Sequence, residues 1–185
     1  MPLTLPGRPE LATALDAAIE TLRSRDGDLT GTTERAVVAR LMIYLDRELT
    51  RLPASPHLRL DMEYERSARS VKSFERPNPP TGARRRRKIV PDLVYHQRGT
   101  SVNHLAIEVK AAPCPRWQEE HDLAKLLLLT GRTQRIGMDA RGRFHPFDPA
   151  GRPASEEIRR PRELGAYTYG VFLQLHRIDD PIAWI

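Results

Sequence analysis

The chain has 185 residues, 39% of them hydrophobic and 29% charged, with 30 Lys plus Arg against 24 Asp plus Glu for a formal net charge of +6. That length fits one domain of roughly 100 to 200 residues, expected over 1–185, and the composition excludes fibrous and wholly disordered chains. A single cysteine, Cys114, excludes an internal disulfide and a cysteine-cluster metal site, and points to a reducing compartment.

In chain order, the opening residues Met1 to Arg8 lack the basic-then-apolar plan of a signal peptide. Two helices are predicted, over 9–24 and 33–52, with the turn-rich stretch 25–31 between them. In the second, Val37, Val38, Leu41, Leu45, Leu49 and Leu52 recur at helical spacing and form a buried stripe. Thr32 or Thr33 can cap its first amides. Residues 57–66 then alternate Leu58, Leu60, Met62 and Tyr64 with Arg59, Asp61, Glu63 and Glu65, the pattern of a half-buried strand whose acids face solvent.

From Arg66 to Lys88 nine basic residues meet one acid, a local balance of +8 against −2 for the rest of the chain. Pro77, Pro79, Pro80 and Gly82 predict an irregular basic loop over 66–88. Charge so concentrated suits a polyanion, because each Lys or Arg set against a phosphate releases a condensed counterion; a solvated loop is the plain alternative. Lys72, Arg84, Arg85, Arg86, Arg87 and Lys88 are the candidate nucleic-acid contacts.

Strands over 88–96 and 104–111, joined by a turn at 98–100, have the spacing of a hairpin. A helix over 117–130 puts Leu123, Leu126 and Leu127 on one side and is closed by Gly131. Its run Leu126 to Leu129 is the longest purely apolar one in the chain, far short of the roughly 20 residues that span a bilayer. A cytoplasmic protein without a membrane partner is therefore expected. Lys125 and the His121-Asp122 pair are expected on the helix surface, and 132–165, rich in Gly, Pro and Arg, predicts a long irregular excursion. A buried strand over 167–178 closes the series. This order implies an α/β fold: an antiparallel three-strand meander plus a fourth strand added in parallel after a helical crossover. The result is a small mixed four-stranded sheet flanked by helices (αβββαβ), with an extra N-terminal helix.

On the strand 104–111, Leu105, Ile107 and Val109 share one face while Glu108 and Lys110 share the other. The preceding strand supplies a second carboxylate, Asp92, directly after Pro91, which cannot donate to a ladder. Two nearby carboxylates repel unless a proton or a cation lies between them, and oxygen ligands of this kind suit Mg²⁺ or Mn²⁺. Glu34 falls in the centre of the helical stripe, where an ionised group is costly unless paired or metal-bound; it is also in the first turn, and the alternative is an acid at a helix N-terminus with the stripe beginning after it. No phosphate-cradling Gly-rich motif or zinc cluster is present, which disfavours an NTPase and a zinc enzyme. Cys114, between two prolines with no His nearby, is a poor nucleophile candidate.

Glu34, Pro91-Asp92 and Glu108-Val109-Lys110 resemble the PD-(D/E)XK nuclease superfamily, with an order of elements that covers about Thr33 to Ile178. The only Pro-Asp and the only acid-x-Lys of the chain fall on adjacent strands, 16 positions apart, and Lys110 is one of just four lysines. The resemblance implies a restriction-endonuclease-like core and a metal-dependent endonuclease acting on phosphodiesters, usually in DNA, with RNA as the alternative polymer. It implies that Asp92, Glu108 and the Val109 carbonyl hold Mg²⁺ or Mn²⁺, that Lys110 positions or activates the attacking water, and that Glu34 supports the metal or the lysine. Two other outcomes stay open: a catalytically silent nucleic-acid-binding module of the same fold, and a homodimer able to cut both strands.

Overall fold

A computed structural model describes residues 5–27, 33–52, 57–63, 66–67, 70–71, 73–76, 85–139, 141, 143–146, 156–159, 165–176 and 181–185. The chain opens with two helices, α1 (Arg8–Arg25) and α2 (Glu34–Thr50). Pro9 occupies the first turn of α1, where a missing N–H costs nothing. Thr33 caps α2, its hydroxyl accepting the Ala36 N–H at 3.4 Å. The expected stripe of α2 is buried at Val37, Val38, Leu41, Leu45 and Leu49, with Leu52 packed at its margin.

The strands that follow are β1 (Leu58–Met62), β2 (Arg66–Ser67), β3 (Ser70–Val71), β4 (Ser73–Arg76), β5 (Arg85–Lys88), β6 (Leu93–Gln97) and β7 (Asn103–Lys110). After helix α3 (Arg116–Leu129) come β8 (Arg135–Met138), β9 (Phe144–Pro146), β10 (Glu156–Arg159), β11 (Tyr167–Gln174) and β12 (Ile182–Trp184). The main sheet is mixed and five-stranded, in the order β1-β6-β7-β11-β12. β1, β6 and β7 form the expected antiparallel meander, and β11 adds to β7 in parallel after α3. The fifth strand, β12, pairs antiparallel with β11 and was not foreseen; three residues are too few to show a period.

Within 66–88 and 132–165, the described residues include strands where irregular segments were expected. The backbones of β4 and β5 pair antiparallel within a second sheet of order β5-β4-β10-β8-β9, to which the 132–165 stretch contributes β8, β9 and β10. Arg85, Arg86, Arg87 and Lys88 thus belong to a strand, whereas Lys72 and Arg84 lie outside the described residues. The single strand expected over 88–96 is divided accordingly: Lys88 ends β5, and Pro91, having no N–H, delays the start of β6 to Leu93.

Each face of the main sheet is covered. Leu58, Leu60, Leu93, Tyr95, Leu105, Ile107, Val109, Val171 and Leu173 pack against α1 and α2. On the other face Val94, Ala106 and Phe172 meet Ala124, Leu126, Leu128 and Leu129 of α3, together with Ile136, Met138, Phe144 and Ile158 of the second sheet. Central strand β7 is buried along its whole length. Among the described residues no helix is long and apolar enough to cross a membrane.

Because Leu41 is 0% exposed at the meeting of α1, α2 and the sheet, Leu41→Ala is expected to cost about 3 kcal/mol. Ile43→Ala, on the exposed side of the same helix, is expected to stay within about 0.5 kcal/mol. Urea unfolding midpoints check both.

Candidate active site

Because Pro91 ends the ladder early, Asp92 sits one step beyond the last paired residues, Leu93 and Ile107, opposite Glu108. The β7 backbone there has lost its neighbouring strand, and Asp92 replaces it. Its Oδ2 accepts the Val109 N–H at 2.7 Å, while its main-chain carbonyl accepts the Glu63 N–H at 3.0 Å. Burial pushes the Asp92 carboxyl pKa up, and the Val109 N–H only partly opposes that.

Glu108 and Lys110 point away from the α1–α2 core, as the strand period requires, and meet α3. Glu108 is 1% exposed. Lys125 places its ammonium 2.7 Å from Glu108 Oε1 and 2.9 Å from Asp122 Oδ1, and Lys110 lies 2.9 Å from Asp122 Oδ2. Lys110 also reaches Glu34 Oε1 at 3.2 Å and the Val109 carbonyl at 3.3 Å. Register pairs Lys110 with Gln174 of β11, whose amide donates to Glu119 Oε1 of α3 at 2.9 Å. The carboxyl ends of two parallel strands and one face of α3 therefore enclose the cluster.

Several expectations change here. Glu34 is not within the buried stripe but at the first position of α2, with 44% of its side chain exposed and its Oε1 3.2 Å from the Lys110 ammonium. A carboxylate in that place also gains from the helix dipole. Lys125 and Asp122, expected at the surface, are 13% and 7% exposed at the side chain. α3 is pressed between the main sheet and the second sheet, so it has no single apolar stripe, and Leu123 and Leu127 are only half-buried. The overlooked signal is Asp122-x-x-Lys125, opposite charges three apart on one helical face, using another of the four lysines. His121 accepts the Phe144 N–H at 2.8 Å and stacks on that ring.

Asp61 is likewise not solvent-facing. It is buried, accepts from Arg98 Nε at 2.8 Å and lies 2.8 Å from His96 Nε2, a cluster that ties the turn after β6 back to β1. Burial opposes its charge, but Arg98 and His96 outweigh that and hold its carboxyl below the ordinary range. Glu63, at φ +49°, bends the chain out of β1, and Glu65 lies outside the described residues. Glu34, Arg35, Val38, Met62, Glu63 and Asp92 line an open cleft of about 120 Å³ that gives solvent access to the Asp92 side of the cluster. Cys114 is half-buried; desolvation and then Glu119 push its thiol pKa up, which disfavours a thiolate.

The electrostatics divide the groups. Complete burial raises the Glu108 pKa well above the ordinary 4.5, and Asp122 and Asp92 add to this against the pull of Lys125. Burial opposes the charge on Lys110, but Asp122 and Glu34 overcome it and hold its pKa above the lysine range. The same holds for Lys125, through Glu108 and Asp122. Lys110 is accordingly a fixed ammonium donor here, suited to positioning a water or a phosphate oxygen and unsuited to taking a proton.

The donors suit a hard cation in chemistry: Asp92, Glu108 and the Val109 carbonyl offer oxygen only, and burial holds the pKa of both acids up. In arrangement, no three His, Cys, Asp or Glu side chains among the described residues converge as a ligand set. The cation beside Glu108 is the Lys125 ammonium. Compared with protein-family models, with curated proteins and with solved structures, the chain matches none.

Two outcomes follow from these charges. Asp122→Ala leaves two buried ammonium groups without their shared carboxylate, and is expected to lose about 3 kcal/mol of unfolding free energy. The second concerns pH. With its pKa raised, Glu108 keeps its proton in the folded state over a range where the unfolded chain has lost it, so its contribution declines as pH rises above 4.5. The slope is at most about 1.4 kcal/mol per pH unit for one proton. Glu108→Gln should therefore gain stability relative to wild type as pH increases from about 5 to about 8, read from urea unfolding in EDTA; parallel profiles would contradict the assignment.

Proposed function

We propose that the chain is a metal-dependent nuclease with a restriction-endonuclease-like core of the PD-(D/E)XK kind, hydrolysing phosphodiester bonds, with DNA as the first polymer to test. What carries the proposal is the meeting of Asp92, Glu108 and Lys110 at the end of the central strand, with Glu34 bonded to Lys110. Asp92, Glu108 and the Val109 carbonyl would hold Mg²⁺ or Mn²⁺, which when bound supplies charge neutralisation at the phosphoryl oxygens and a hydroxide near neutral pH.

The protein's own groups do the positioning. Lys110, fixed by Asp122 and Glu34 beside the Val109 carbonyl, offers a charged donor to the attacking water or to a non-bridging oxygen. Asp92 is oriented by a backbone amide, which leaves its second oxygen for the cation. Strand β5 with Arg85, Arg86, Arg87 and Lys88 runs through Ile89 into Pro91-Asp92, so a polyanion drawn to that basic strand is delivered next to the cluster.

A binding module without chemistry is the second reading. It is favoured by the two lysines that already neutralise much of the acid cluster without a metal. Incubation with single- and double-stranded DNA and RNA in Mg²⁺, Mn²⁺ or EDTA separates the two. The nuclease is expected to cleave only with the divalent ion, and Asp92→Ala and Lys110→Ala to reduce the rate by about 100-fold or more. Cleavage in EDTA, or rates unaffected by both substitutions, would overturn the mechanism; binding without cleavage identifies the module.

A further inference from the structure

Lys125 rises from α3 into the interior and ends between two acids, 2.7 Å from Glu108 Oε1 and 2.9 Å from Asp122 Oδ1. A tethered ammonium in that place meets the same electrostatic demand as a divalent ion, but with one charge and with donors instead of open coordination positions. It also engages Glu108, one of the two acids proposed to hold the ion, from the α3 side.

Resting on the nuclease reading above, we infer that Lys125 is a built-in counter-ion, and that loading the site is an exchange in which a divalent ion enters as the Lys125 ammonium leaves Glu108. No covalent bond changes, and the amine stays protonated. Asp122 makes the exchange reversible. It bonds Lys125 through Oδ1 and Lys110 through Oδ2, so an ammonium released by Glu108 keeps one partner and remains beside the site. Lys110 is held by Glu34 and the Val109 carbonyl as well, and so keeps its place while Lys125 moves. The two lysines thus have different tasks: Lys110 faces the reaction, while Lys125 guards the cation position.

Calorimetric Mn²⁺ binding to the full chain tests the exchange, using wild type, Lys125→Met, Lys125→Gln and Asp92→Asn. It is paired with side-chain ammonium NMR of ¹⁵N-lysine-labelled wild type, whose four lysines give at most four signals. Lys125→Met is expected to bind Mn²⁺ about tenfold to a hundredfold more tightly, the scale on which neighbours of ligands move metal affinity. Mg²⁺ should shift the Lys125 signal of the wild type. Equal affinities with an unmoved Lys125 signal, while Asp92→Asn abolishes binding, would overturn the exchange and leave the nuclease reading intact. Binding indifferent to Asp92→Asn, or none by any variant, would overturn both. Lys125→Gln and the wild-type NMR decide the matter should the Met variant fail to fold.

Discussion

Five side chains that alternate acid with lysine, Glu34, Lys110, Asp122, Lys125 and Glu108, run from the open end of the cleft into the interior, each within 3.2 Å of the next. None of the inner members would be tolerable alone, since an unpaired buried charge costs several kcal/mol. Together they bind α2, β7 and α3 at one point, which apolar packing on the two faces of the sheet does not do. The cluster is more than a cross-link, because with Asp92 it sets four acids, Glu34, Asp92, Glu108 and Asp122, against two lysines. Burial first of all raises the carboxyl pKa values of Glu108 and Asp92, with Asp122 adding to the rise at both.

The scaffold places this surplus on rigid elements. Lys110 and Gln174 end neighbouring parallel strands in register, and α3, which joins those strands, lies over them. Open α/β sheets tend to hold ligands at the carboxyl ends of their strands. Here an interruption does the rest: Pro91 removes one strand from the ladder, and the vacated backbone amide is given to Asp92.

Elements with one buried face were legible in the sequence. The stripe of α2 and the alternation of Leu58 and Leu60 with exposed Arg59 in β1 correspond to burial against a single layer, so their periods survive in the residues. α3 defeated the same approach because it is covered on two sides, and its Asp122 and Lys125 read as surface charges when they are interior ones. The second sheet was missed for a different cause. Its strands run three or four residues, bounded by Pro and Gly, too short for alternation to emerge. Asp92, Glu108, Lys110 and Glu34 were singled out by type and spacing, yet the Asp122 partner of Lys110 depends on how α3 docks, which no local pattern encodes.

The chain of charges is graded in its exposure. Glu34 has 44% of its side chain in solvent, Asp122 7% and Glu108 1%. Mobile ions screen exposed pairs far more than enclosed ones, so rising ionic strength loosens the Glu34–Lys110 contact first and leaves the inner links nearly untouched. The tie between α2 and the sheet thus depends on the medium at its outer end alone, while its interior end is set by the protein.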